Sequence, residues 1–180
     1  MTDTTLSAAL KEAYASAPSN VIIYATLELY HTAFVDGSGN PAPIRVVKDY
    51  NNLTATLEST ATRNPSEAVT FIAFNFEFTK PSVGPDNVPT ITIEMDNVDR
   101  AIVANIEKTM GTYEQIKVIY REYISTNLTT PQNLPPIEMS ILSITADTFK
   151  VTATAGFNNL MNRRFPTQEY NTEVFTGLLA

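Results

Sequence analysis

VTFIAFNFEF, residues 69–78, is the stretch that decides the fold. Ile72, Phe74, Phe76 and Phe78 alternate with Ala73, Asn75, Glu77 and Thr79. A period of two suits a strand and cannot build a helix face. Four large side chains on one face are worth about 1.5–3 kcal/mol each when fully buried, so this strand anchors a core. KPSVGPDNVP (80–89) follows as a Pro/Gly loop, and TITIEM (90–95) alternates again. Residues 69–95 therefore read as a hairpin with a long tip.

Working outward, the period first changes. Asp96-Asn97 opens a helix in which Val98, Ile102, Ile106 and Met110 share a stripe, with Asp99 in its first turn, Lys108 in its last, and Gly111 ending it. EQIKVIYREYI (114–124) returns to alternation, TNLTTPQNLPP (126–136) is irregular, and IEMSILSIT (137–145) with FKVTATAGF (149–157) makes two strands joined by a short turn at 146–148. Upstream, VIIYATLELYH places Ile23, Ala25, Leu27 and Leu29 on one face and Tyr24, Thr26, Glu28 and Tyr30 on the other, a strand with one buried face. DGSGNPAP (36–43) is a loop, IRVV (44–47) a partner strand, and LTATLE (53–58) a short edge strand. Residues 4–16 form a helix striped by Leu6, Leu10 and Tyr14, with Thr5 and Ser7 as capping hydroxyls and Pro18 as its stop. Asn158 to Arg164 reads as one helical turn. Strands outnumber helices and most neighbours are joined by turns or loops. The expected fold is mainly β (α+β): an antiparallel β-sandwich or partial barrel with one internal helix and a short N-terminal helix, as a single domain over residues 1–180.

Composition narrows the chemistry. The chain has 180 residues, 43% of them hydrophobic and 17% charged, which is globular and long enough to need no staple. It has no Cys and one His. That excludes disulfides, thiol nucleophiles, iron–sulfur ligation and zinc sites built on several His or Cys. A net charge of −7 argues against wrapping nucleic acid. No apolar run approaches the roughly 18 residues of a membrane span, and the N-terminus lacks the pattern of a signal peptide.

No motif supplies a reaction. His31 ends a strand without a GxSxG elbow elsewhere, and reads as a half-exposed strand-end residue. Glu94, Asp96 and Asp99 could gather a hard cation, but Asp96 or Asn97 serves equally as a helix cap, which is the favoured reading. Glu12, Glu28, Glu58 and Glu77 are scattered and read as solvated; a glycosidase pair needs only that two carboxylates meet in space, and nothing in the sequence points to one. Phosphate-binding patterns are absent. The expectation is no enzymatic activity, no cofactor and no metal. Arg163-Arg164 with Phe165 is the only paired basic site; it is a surface ion-pair partner or a subunit contact. Tyr170 and Phe175 belong to the same aperiodic tail, which either folds back on its own core or covers a neighbour.

Taken together, PIRVVKDYNNLTATLE (43–58), VTFIAFNFEF (69–78), PTITIEMDNVDRAI (89–102), YREY (120–123) and NLMNRRFPTQEY (159–170) resemble a family of phage proteins. That family is a domain of unknown function encoded among the tail genes of long-tailed phages and prophages. The likeness runs from LKEAYASAP (10–18) to the C-terminus and carries no active-site residues. It implies a minor tail protein at the distal tail or tail tip, a trimeric or hexameric ring between tube and hub. Its partners would be copies of itself and the tube, hub and tape-measure proteins. DNA would pass without specific binding, there would be no membrane insertion, and the protein would reside in the virion tail after assembly in the host bacterial cytoplasm. Long loops at 36–43, 80–89 and 126–136 suit contacts between ring neighbours. The rival expectation is a tail-tip binding module for cell-surface carbohydrate, with Tyr24, Tyr30, Tyr120 and Tyr123 as stacking platforms.

Overall fold

Leu27 to Leu29 lie buried in a strand near the middle of the sheet, and the other strands are laid out on either side of it. The computed structural model describes residues 6–18, 20–36, 39–40, 42–79, 90–96, 101–109, 112, 114–147 and 150–157. Among these the order is α1 (Ala8–Ser16), β1 (Ile23–Tyr30), β2 (Ile44–Val47), β3 (Leu53–Thr56), β4 (Ala68–Ala73), β5 (Phe76–Phe78), β6 (Thr90–Asp96), α2 (Ala101–Thr109), β7 (Lys117–Ile124), β8 (Ile137–Ala146) and β9 (Lys150–Gly156). The strands form one nine-stranded sheet in the order β3-β4-β2-β1-β7-β8-β9-β6-β5. The fold is mainly β with two short helices, and the sheet does not close into a barrel. One pairing departs from the antiparallel expectation: β2 and β4 are parallel, in register at Val46↔Ile72 and Val47↔Ala73.

The two flanks of that sheet are tied together by the chain itself. β4 and β5 stand at opposite flanks, yet only Phe74 and Asn75 separate them in sequence. The Phe74 N–H donates to Val47 on β2, while Asn75 accepts from the Asp96 N–H on β6. At that step the strand leaves one side of the sheet and joins the other. The sheet must therefore curl, and side chains of β1, β2, β5, β6, β7, β8 and β9 meet in one core with Ile106 of α2.

Inside the curl, Leu27, Ile93, Val118 and Ala155 are fully buried, and Phe78 stacks on Tyr120 with centroids 4.2 Å apart. Outside it, the β3–β4 hairpin lies over the other face of β1, β2 and β7, where Leu53, Leu57, Val69 and Phe71 pack on Val47 and Tyr123. β1 is thus covered on both sides. The expectation of one buried face fails there because Thr26 and Glu28, on the face assigned to solvent, are sealed by the hairpin.

The 69–78 stretch is divided between the two cores. Phe74, Phe76 and Phe78 face the inner core as expected. Ile72 does not: it is 58% exposed, and the outer core takes Val69 and Phe71 from the opposite face. One further boundary differs: Asp96 is the last residue of β6, paired with Lys150, and residues 97–100, the expected start of the helix, lie outside the described residues. The 126–136 loop is a fixed segment sewn along β7 by Gln132 N–H to the Glu122 carbonyl and Asn133 Nδ2 to the Tyr120 carbonyl. The 80–89 loop, Asp99, Gly111 and the turn at 158–164 lie outside the described residues.

α1 is held by its cap. Ser7 Oγ accepts from the Leu10 N–H at 3.1 Å and donates to Gln132 Oε1 at 2.8 Å, so one hydroxyl both caps the helix and fastens it to the 126–136 segment. Leu10 and Ala13 provide the buried stripe. Ala17 stops the helix in the left-handed region, one residue before the Pro18 assigned that role. Ser7→Ala is expected to lower stability by about 1 kcal/mol, as N-cap losses do. Urea unfolding followed by circular dichroism measures it, and no change in midpoint would show that the cap is redundant.

Candidate functional site

Among the described residues the densest polar chemistry sits between the sheet and the outer hairpin. Strand alternation places Glu28 of β1 and Arg121 of β7 on the outer face, and Arg45 of β2 stands directly opposite Glu28 in the antiparallel ladder. The segment after β3 contributes Glu58 and Arg63. Arg121 grips Glu58 with two parallel bonds, Nε to Oε2 and Nη2 to Oε1, both 2.8 Å. Its third bond runs from Nη1 to Glu28 Oε2 at 2.6 Å. Arg121, Glu28 and Glu58 are 1%, 1% and 8% exposed.

Glu28 serves three cations. Arg45 Nη2 donates to its Oε1 at 3.2 Å and also to Asn64 Oδ1 at 2.8 Å, while Arg63 Nε lies 3.8 Å from the same carboxylate oxygen. The Arg63 guanidinium rests on the Tyr30 ring, 3.0 Å above its centroid. Burial alone would lower the Arg121 pKa; the hydrogen bonds and charges of Glu58 and Glu28 reverse that and raise it. Arg63 is the opposite case, where burial prevails over Glu28 and Tyr30 and lowers its pKa.

This arrangement is chemically sealed. Glu28 and Glu58 are two carboxylates that meet in space, the condition a glycosidase requires, but Arg121 stands between them and occupies the oxygens a substrate or proton would need. Its consequence is mechanical. The cluster rivets the outer hairpin to β1 and β7 at a point where the surrounding packing is apolar. The expectation that Glu28 and Glu58 are solvated is corrected here, because both are buried where the hairpin meets the sheet and share the Arg121 guanidinium.

A second polar group lies along β7. Glu122 Oε1 accepts from Tyr120 Oη at 2.5 Å and from Tyr14 Oη of α1 at 2.9 Å, and the Glu122 N–H donates to Asn133 Oδ1 at 2.9 Å. Burial, and then the Glu122 carboxylate, hold the Tyr120 phenol well above its ordinary pKa. Burial does the same for Tyr123, whose Oη donates to the Thr56 carbonyl at 3.0 Å. Of the four tyrosines offered as sugar platforms, Tyr120 and Tyr123 are core residues, while Tyr24 and Tyr30 are half-buried.

His31 is fully buried, which corrects its expected half-exposure. Its Nδ1 accepts the Ala33 N–H at 3.0 Å, so the proton belongs on Nε2, 3.2 Å from both the Glu114 carbonyl and Thr112 Oγ1. The ring closes the turn that drives Phe34 into the inner core. At the β6 end, Glu94 pairs with Lys150, and Asp96 Oδ2 accepts from Asn75 Nδ2 at 2.7 Å. Among the described residues no three His, Cys, Asp or Glu side chains are arranged to hold a metal ion. Arg163, Arg164, Phe165, Tyr170 and Phe175 lie outside the described residues.

The ionic cluster escaped sequence reasoning, although a signal existed: Glu28 stands between Leu27 and Leu29, and Arg121 sits within VIYREYI, so each charge interrupts an apolar strand. Compared with known families, the chain matches the one described as a domain of unknown function (DUF1833) over residues 9–170. No curated protein matches it.

Proposed function

The chain belongs to the DUF1833 family, and from that premise, with no activity attached to the family, we propose that it is a structural, non-enzymatic component of a long-tailed phage. In this reading it is a minor protein of the distal tail or tail tip, and copies assemble as a ring of three or six between tube and hub. The support is the likeness of its strings to tail-gene proteins, together with one feature of the fold. Buried charges are spent on riveting elements together, while large apolar side chains remain outside. Tyr50 is 99%, Ile72 58% and Leu142 56% exposed. A rigid β scaffold with uncovered apolar side chains is suited to association. The outermost strands, β3 and β5, have four and three residues, short enough to limit indiscriminate edge pairing. A ring would repeat one heterologous interface around its axis.

Light scattering on the purified protein, alone and mixed with the neighbouring tail proteins, tests this. The expected mass is that of a trimer or hexamer in at least one of the two preparations, and antibody labelling should mark the tail end of the particle. A monomer that joins none of them, in particles that carry no copy of the chain, would sink the proposal.

A further inference from the structure

Along the strand that changes sides, three clefts follow one another, each sharing a lining residue with the next. The first, about 370 Å³, is lined by Ile44, Ile72 and Phe74 among others. The second, about 630 Å³, adjoins it at Phe74 and is walled by Tyr50. The third, about 290 Å³, adjoins the second at Asn75 and is lined by Glu77, Glu94 and Asp96 with Lys150. The path therefore runs from a mainly apolar cleft, through one that also carries Lys48 and Asp49, to an acidic one. Its apolar half is uncovered, since Ile72 and Tyr50 are among the most exposed large side chains of the molecule. At its acidic half Glu77 stands directly opposite Glu94 in the β5–β6 ladder, a like-charge pair that costs stability. Among the described residues one ammonium, Lys150, faces three carboxylates there.

We infer that this path is the docking groove for the Arg163-Arg164-Phe165 segment of a second copy of the chain. The inference rests on the self-assembly part of the function proposed above. Charge selects the occupant. In a chain of net charge −7, Arg163-Arg164 is the only adjacent pair of basic residues, and Phe165 follows it directly. Two guanidiniums meet the Glu77–Glu94 end, where they relieve repulsion between carboxylates, and the aromatic ring is carried toward the apolar clefts. Reach selects the second copy. Phe157 leaves β9 at the end opposite Lys150. Six residues of strand cover roughly 20 Å, and the six residues from Phe157 to Arg163 cover about the same at full stretch. A chain serving its own groove would have to double back along β9 with no slack, whereas a neighbour's segment meets no such limit. Groove and segment are different surfaces, so the contact is heterologous and suits a ring.

The test uses full-length chains: Arg163→Glu/Arg164→Glu, Glu77→Lys/Glu94→Lys, and the two combined, with unchanged circular dichroism as the folding control. Light scattering against concentration should show the wild type assembling, each one-sided variant needing about tenfold more protein or failing, and the combined variant recovering to within about threefold. A fluorescent synthetic peptide of residues 158–170 should also bind the Arg163→Glu/Arg164→Glu chain and lose that binding when Glu77→Lys/Glu94→Lys is added. If the wild type assembles and neither one-sided variant disturbs it, the groove inference is overturned while the self-assembly reading stands. If the wild type stays monomeric, self-assembly fails, and the peptide decides the groove: no binding overturns it, and binding that the lysines abolish sustains recognition of the segment.

Discussion

Arg121→Met is expected to cost about 3–5 kcal/mol of unfolding free energy, the loss typical of removing one partner from a buried ion cluster. Domains of this kind have only about 5–15 kcal/mol in total, so the variant should unfold at much lower urea with an unchanged slope. Methionine nearly fills the same space, so the loss is electrostatic. Glu58 would lose both of its guanidinium bonds, and Glu28 its shortest one. Arg45 and Arg63 remain near Glu28 but reach only its Oε1, and neither pairs with Glu58. Neutralising both acids should then repair most of the damage: Arg121→Met with Glu28→Gln and Glu58→Gln should be markedly more stable than Arg121→Met alone. That non-additivity is the signature of a cluster acting as a unit. A single variant costing under about 1 kcal/mol would mean that water reaches the cluster and that it is no rivet.

The same cluster shows where the sequence was legible and where it was not. Alternation located the strands, because period two depends only on a strand having two faces. Ile91, Ile93 and Met95 alternate in sequence and are all buried in the inner core. Alternation says nothing about what lies above each face. Glu28 and Thr26 were assigned to solvent because they are polar, and they are buried because a hairpin distant in sequence folds over them. A charge interrupting an apolar strand is a local trace, but partners separated by 63 and 93 residues cannot be matched to each other from it. The parallel β2–β4 pairing escaped for the same reason, since a change of sheet side at Phe74–Asn75 is set by which strands are nearby. His31 was misjudged because a strand end is usually open, and here the turn through Ala33 and Phe34 folds inward over the ring. Function was less legible still. Composition removed classes of chemistry, and a likeness to tail proteins supplied a direction, but the residues singled out for subunit contact were chosen by type, with no strand period to place them.

The sharpest check on the division of the 69–78 strand compares two adjacent residues. Read by size and hydrophobicity alone, Phe71 and Ile72 are both core residues, and the alternation that decided the fold favours Ile72. The structure reverses this: Phe71 is fully buried in the outer core, tilted against Tyr123 with centroids 6.1 Å apart, while Ile72 is 58% exposed at the mouth of the apolar cleft. Phe71→Ala is therefore expected to cost about 3–5 kcal/mol, from lost burial and a cavity that the riveted hairpin cannot collapse. Ile72→Ala should change stability by less than about 0.5–1 kcal/mol, since little of that side chain leaves water on folding. Urea titrations of the two variants give both numbers. Equal losses would return Ile72 to the core and close the apolar cleft. Unequal losses in the stated order bear on function as well, because a large aliphatic side chain that contributes little to its own fold is free to serve a neighbour. If Ile72→Ala leaves the monomer's stability unchanged and still weakens assembly, the exposed face of this strand is an interface; if it weakens neither, the face is surface alone.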